Sequence, residues 1–367
     1  KHVLDIRMNY FFQRIVKRQA MVYFLFLGLA CLRIDVKGAE TLDGPLNDRI
    51  EESLKNNRSS DIFRAQRVGG KYLFYLEKLF LAAQAKGGTE LTPSQFPRVA
   101  IKINTAHAPG LQVSPQLIDA LLSILTDRGF DKKQIFLVDR EEQSLIRGGF
   151  LSSTQGPSTY RGHSVYYSTK QSYFDPLWIH DSPMPPTLHD RARLFLKYPQ
   201  AREKRIEEER KSYLPRILFG EGTFWINVSV VMDSVNLGID GACANITTGA
   251  ISNYHRFLEK ATLAPAAVTE IMAIPEIWNR RTYSIIDLSL YQFANGGRFD
   301  AEFLGREPTL LLSENPFSVD RVALGILNSD RKKHGFKERK AGELLLFRYA
   351  KELNLGDMAK AKIFDVR

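Results

Sequence analysis

Residues Arg98–Asp139 constrain the fold of this chain more tightly than any other stretch. Val99, Ile101 and Ile103 alternate with Ala100 and Lys102, the two-residue period of a strand. A polar loop through His107 and Gly110 follows. Ser114-Pro115 then reads as a helix start, with a hydroxyl at the N-cap and a proline where its missing N–H costs no bond. Leu117, Ile118, Leu121, Leu122 and Leu125 fall on one helical face, and Gly129 suits the left-handed residue that closes a helix. Ile135–Val138 is a short apolar run of the kind covered on both faces, with Asp139 at its end. Strand, helix and strand at this spacing predict a right-handed parallel crossover. Open parallel sheets bind ligands beyond the carboxyl ends of their strands. That rule points to Asn104, His107 and Asp139.

The same alternation continues downstream. Thr223–Val231 is apolar but for Asn227, Thr282–Ile286 ends in Asp287, and Thr309–Leu312 precedes a helix opened by Pro316. Helical patterns over Tyr72–Ala85, Ile246–Leu258, Pro265–Trp278 and Ala341–Leu353 lie between or beside these runs, and Lys362–Val366 reads as a last strand. The expected fold is therefore α/β, a mainly parallel sheet with helices on both faces in a Rossmann-like layering. Residues 97–367 form the expected domain, with an irregular insertion at about 148–215 and a helical lead-in over 40–96. Within the insertion, Asp175–Pro186 carries four prolines and reads as an irregular excursion, and Ala201–Ser212 as a charged, solvated helix.

A basic start through Arg14, Lys17 and Arg18 leads into the apolar run Ala20–Leu32. That run is shorter than the roughly 20 residues that span a bilayer comfortably. It reads as a leader over residues 1–39, a secretory signal peptide with a small residue at Ala30 before Cys31. The expectation is an exported protein, periplasmic or in the cell envelope, touching membrane only through this segment; a buried N-terminal helix and a cytoplasmic location are the alternative.

The net charge of +10 permits acidic partners, but the basic residues are dispersed among acids, as in Arg202–Lys211, and no nucleic-acid-binding motif is present. A small-molecule ligand is the expected partner. Two cysteines, Cys31 and Cys243, cannot hold an iron–sulfur cluster, which takes about four thiolates. There is no dinucleotide fingerprint, phosphate-binding loop, zinc-protease motif or nucleophile elbow.

Four blocks together resemble the domain-of-unknown-function family 362, a bacterial and archaeal group. They are Val99-Ala100-Ile101-Lys102-Ile103-Asn104; Trp225-Ile226-Asn227-Val228-Ser229-Val230 with Gly238 and Asn245; Ser284-Ile285-Ile286-Asp287; and Leu312-Ser313-Glu314-Asn315-Pro316 with Asp320. Met232-Asp233-Ser234 stands where that family often has Lys-x-His, Ala244 where a lysine often precedes the asparagine, and Asn315 where it has aspartate. Some members add a cysteine-rich ferredoxin module that this chain lacks. The resemblance implies a fold and a pocket, and it favours Lys102, Asn245 and Asp287 as site residues; Asp320, in the fourth block, is a further ligand-binding candidate.

Each candidate has an ordinary alternative. Lys102 would supply charge to an anion or pair with Asp139, or else snorkel from an edge strand. Asp139 and Asp287 would act as base or metal ligand. Asn104, Asn227 and Asn245 would orient a ligand, as amides that both donate and accept. His107 would be a base or ligand, or simply solvated. Asp320 falls in a first helical turn, where a carboxylate is favoured anyway. Asp233 and Asp240, with Asn236, offer oxygens to a divalent cation such as Mg²⁺ or Ca²⁺, against a turn-and-capping reading. Two functions fit: an enzyme acting on a small anionic or hydroxylated ligand at the carboxyl edge of the sheet, or a non-catalytic binding or accessory protein, which the family departures favour.

Overall fold

The computed structural model describes residues 58–367, apart from 67, 154–156, 171–172, 183, 259–262 and 281. The expected leader over 1–39, with Cys31, and the beginning of the expected lead-in lie outside the described residues.

Strand β1 (Ile62–Gln66) and helix α1 (Tyr72–Ala85) come first. The sequence-predicted crossover follows as β2 (Arg98–Lys102), α2 (Pro115–Asp127) and β3 (Ile135–Val138), then α3 (Glu142–Arg147) and the hairpin β4 (Thr159–Tyr160) and β5 (His163–Tyr166). The insertion holds β6 (Phe174–Asp181), α4 (Leu188–Lys197), α5 (Arg202–Glu209) and β7 (Lys211–Pro215). Next are β8 (Thr223–Ser229), the hairpin β9 (Met232–Ser234) and β10 (Gly238–Asp240), and helices α6 (Ala242–Ile246), α7 (His255–Leu258), α8 (Leu263–Met272) and α9 (Pro275–Trp278). Strands β11 (Thr282–Asp287), β12 (Tyr291–Gln292), β13 (Leu304–Gly305) and β14 (Thr309–Ser313), helices α10 (Pro316–Lys333) and α11 (Leu345–Glu352), and β15 (Ile363–Val366) complete the order.

The protein has an α/β fold. Nine strands form one sheet in the order β15-β1-β14-β11-β8-β2-β3-β5-β4. Neighbours from β11 to β5 are parallel; β14 runs against both of its neighbours, and β4 runs against β5. Every residue of β8, β11 and β14 is buried, as strands covered on both faces should be. Alternation divides their side chains between two cores. Val99, Ile101, Ile226, Val228 and Ile285 meet α1 and α2 on one face, while Ala100, Trp225 and Ile286 meet α8 to α11 on the other.

Three expectations are corrected. Of the lead-in expected over 40–96, the described part keeps its helix as α1, but Ile62–Gln66 form a strand that lies inside the sheet, between β14 and β15. Asp175–Pro186 is not wholly irregular, since β6 pairs with β7 around a register shift that accommodates Pro176. The helix expected over Ile246–Leu258 is broken into α6 and α7. There Thr247 bonds back to the Cys243 carbonyl at 2.7 Å, and the Gly249 N–H closes α6 on Ala244 at 2.7 Å. Ser114 does precede α2, but its hydroxyl donates to Gln116 at 2.6 Å and does not cap the helix. No helix among the described residues is long and apolar enough to cross a membrane.

Candidate functional site

Lys102 is the last residue of β2 and is 1 % exposed. Its Nζ donates to Asp139 Oδ1, Asn245 Oδ1 and the Ile103 carbonyl, each at 2.8 Å. An ammonium has three protons, so all are used. Asp139, just past β3, also accepts from the Thr105 N–H at 2.9 Å, the Thr105 hydroxyl at 2.6 Å and the Arg140 N–H at 2.7 Å. Asn245, on α6, donates to Asn227 Oδ1 at 2.8 Å and to the Val228 carbonyl at 3.1 Å. Asn227 in turn donates to the Ala242 carbonyl at 2.8 Å. The polar residue that interrupts an apolar strand is thus satisfied in the middle of the sheet, next to Lys102 in register. Burial pushes the Lys102 ammonium below its ordinary pKa, with the Asp139 carboxylate opposing. The group acts as a buried clamp joining β2, β3, β8 and α6, not as a free cation awaiting a ligand.

A cavity of about 540 Å³ opens beyond the carboxyl ends of these strands. Asn104, His107, Asp139, Arg140, Asp240 and Asn245 line it, and the β9–β10 hairpin and Tyr254-His255 form its walls. Lys102 lies beneath the floor and does not line it. Asn104 accepts from the Ala106 N–H at 3.3 Å. Arg140 stacks 3.2 Å from the centroid of Tyr254 and donates to the Thr248 carbonyl at 2.7 Å and to Glu141 at 3.1 Å. Burial disfavours ionisation of Glu141, but Arg140 and the Tyr254 hydroxyl outweigh it and hold the carboxyl below its usual range. Asp240 is different. Burial raises its pKa, His107 and then Arg140 oppose that rise, and no hydrogen bond to its side chain exists among the described residues.

No family model matches the chain, and no curated protein matches it. Among solved structures it is similar to a Thermotoga maritima protein determined by the Northeast Structural Genomics Consortium, at 12% identity and a TM-score of 0.35. The match covers 70% of this chain and 58% of that one, so the chain spans less than two thirds of that protein's length.

Of the remaining sequence-derived candidates, Asp287 and Asp320 fall outside the cavity, and Asp233 borders it with its carboxylate committed to two arginines. Asp287 ends β11, but alternation from Tyr283 and Ile285 carries it to the face opposite Asn227. There it accepts from the Tyr72 hydroxyl at 2.9 Å and the Ser289 N–H at 2.9 Å, outside the cavity, and burial raises its pKa. Asp320, on α10, accepts from the Ala242 and Cys243 N–H groups at 2.6 and 2.9 Å. It caps the helix that carries Asn245 and so positions that asparagine. Burial raises its pKa to about 6 against those bonds. Asp233 is held by Arg331 at 2.9 Å and by Arg339 at 2.6 Å. Its pairing register, Asp233 with Ile239 and Asp240 with Met232, turns the two aspartates to opposite faces of the hairpin. Asp233 and Asp240 therefore form no shared cation site.

Arg140, Glu141 and Tyr254 had no sequence signal beyond the position of the first two after Asp139. The His/Asp group that the fold does assemble among the described residues is His189, Asp190 and His255.

Proposed function

We propose that the protein binds a small hydroxylated or anionic molecule in the cavity beyond β2, β3 and β8, and that Asp240 and His107 exchange a proton with it. The observation that carries this reading is a carboxylate and an imidazole lining one cavity, neither with a side-chain hydrogen bond among the described residues. Burial raises the Asp240 carboxyl above its ordinary pKa, which favours the protonated form and so a role as proton donor. Arg140 supplies the positive field that favours an anionic group, and Asn104 and Asn245 offer amide contacts. A non-catalytic binder on the same fold is the second reading. The observation that favours it is that Lys102, the cation expected to hold a ligand, is fully committed to the scaffold.

Kinship with domain-of-unknown-function family 362 is also proposed. Its support is that the four resembling blocks fall on β2, β8, β11 and β14, four neighbouring strands of one sheet. Export is proposed on the basic-then-apolar N-terminal pattern; fractionation of cells expressing a C-terminally tagged chain tests it, and an uncut cytoplasmic pool would refute it.

The binding site is tested by thermal-shift and calorimetric titration with hydroxycarboxylates, polyols and phosphate monoesters. At least one class should raise Tm, and Asp240→Asn should weaken its binding about tenfold, the worth of about 1.4 kcal/mol. Absence of binding by every class, or binding indifferent to Asp240→Asn and His107→Ala, overturns the site. Proton NMR of the bound compound in D2O then separates the readings: solvent deuterium entering a C–H position that Asp240→Asn protects marks the enzyme, and binding without exchange marks the binder.

A further inference from the structure

The fold brings together three side chains that no sequence motif joined. His189 and Asp190 sit in the first turn of α4, and His255 opens α7 at the cavity wall. Asp190 Oδ1 lies 3.6 Å from Nδ1 of His255 and 3.8 Å from Nδ1 of His189. One donor atom from each residue lies within 4.8 Å of the other two. These separations are too long for hydrogen bonds. Two ligands on one tetrahedral ion, with bonds near 2.1 Å, stand about 3.4 Å apart. The two distances from Asp190 are only slightly longer than that, and all three atoms lie within 4.8 Å.

A second observation points the same way. Asp190 is 1 % exposed, and both its Oδ1 and the His255 Nδ1 are buried atoms without a hydrogen-bond partner. Buried polar atoms are nearly always satisfied. Here a carboxylate oxygen and an imidazole nitrogen face one another across a gap that a cation would fill. The carboxylate is already oriented for this: its Oδ2 accepts from the Thr187 hydroxyl at 3.0 Å, and Thr187 also caps α4 through the Asp190 N–H. A polar group holding the non-ligating side of a ligand is the usual support of a metal site. The Tyr254 ring, 4.0 Å from the His255 ring, fixes the imidazole from behind.

We propose that His189, Asp190 and His255 bind a transition-metal dication of the Zn²⁺ or Fe²⁺ class at the rim of the cavity. Two imidazoles and one carboxylate suit those ions, whereas Mg²⁺ and Ca²⁺ take oxygen ligands. Three protein ligands leave at least one coordination position open, as catalytic sites do and structural zinc sites do not. His189 is exposed and His255 lines the cavity, so that position is reachable by water or by an oxygen of a molecule in the cavity. The site does not depend on proton exchange by Asp240 and stands or falls separately.

The test uses the untagged full chain, stripped with a chelator and dialysed. Titration with Zn²⁺ should load one equivalent by native mass spectrometry and raise Tm, and Mg²⁺ should do neither. Co²⁺ should give a visible d–d band that Zn²⁺ abolishes. His189→Ala, at an exposed position that leaves folding intact, should weaken Zn²⁺ binding at least tenfold, and His255→Ala should do the same with unchanged circular dichroism. Failure of the wild type to bind Zn²⁺ stoichiometrically at micromolar concentration overturns the proposal. So does Zn²⁺ binding that survives both histidine substitutions, because the ion is then held elsewhere.

Discussion

Three acceptors converge on the Lys102 ammonium, and one of them, Asp139, is itself buried with three further donors. Breaking one half of such a pair leaves the other charge stranded, which costs about 3–5 kcal/mol. Lys102→Met should therefore lower the unfolding free energy by that amount in a urea titration, and a loss below about 1 kcal/mol would contradict the clamp. Asp320 gives a pH signature. Its folded pKa of about 6 exceeds the ordinary 3.8, so its contribution to stability is full below the unfolded value and is withdrawn as pH rises through about 6. The unfolding free energy of the wild type relative to Asp320→Asn should accordingly fall between pH 4 and 7; a flat difference would show that Asp320 does not titrate there. At this scale the sequence shows more of the scaffold than of the cavity. An asparagine inside an apolar strand had to find partners, and Asn227 did. Asp287 departs from the expected rim for a reason visible in the letters: it shares parity with Tyr283 and Ile285, not with Ser284. Arg140 and Asp190 gave no signal, because what marks them is the approach of Tyr254 and His255 from more than a hundred and more than sixty residues away, respectively.

Arg256 is a principal tie between the insertion and the domain. Arg256, on α7, is fully buried, with its pKa lowered to about 10 by burial. It donates to the carbonyls of Met184, Glu209 and Arg210 at 2.9, 2.7 and 2.8 Å and to the Ser212 hydroxyl at 2.8 Å. Those acceptors lie on both sides of the insertion's helices. Arg256→Ala should loosen this element before the sheet. Amide exchange should quicken across 174–215 while β2, β8 and β11 keep their protection, and uniform loss of protection would refute the separation. Long, periodic elements such as α1, α2 and α10 were legible from their apolar spacing. The β6–β7 pair was not, because its four neighbouring prolines outweighed a strand that needs only a long-range partner and a register shift.

Sheet order was the least legible feature of the whole molecule. β1 pairs with β14 and β15, Phe63 opposite Leu312 and Phe364, and nothing within a local window predicts such partners. β15 is half exposed and held mainly by ladder bonds, the Phe63–Phe364 stack and the Arg64–Asp365 ion pair. Deleting residues 361–367 should leave the fold intact but bare the β1 edge, and exposed edges recruit other chains. Light scattering should then report self-association; a monomer with unaltered Tm would show that β15 protects nothing.

The Lys102 clamp makes the cavity floor a rigid junction of four elements, while the walls come from the β9–β10 hairpin and residues 254–258. Floor and walls are thus separable inheritances. Diversifying the hairpin and Leu258 in a library should change which guests are accepted while the fold persists, whereas the clamp admits few substitutes, so the chain can acquire new tastes without relearning how to fold.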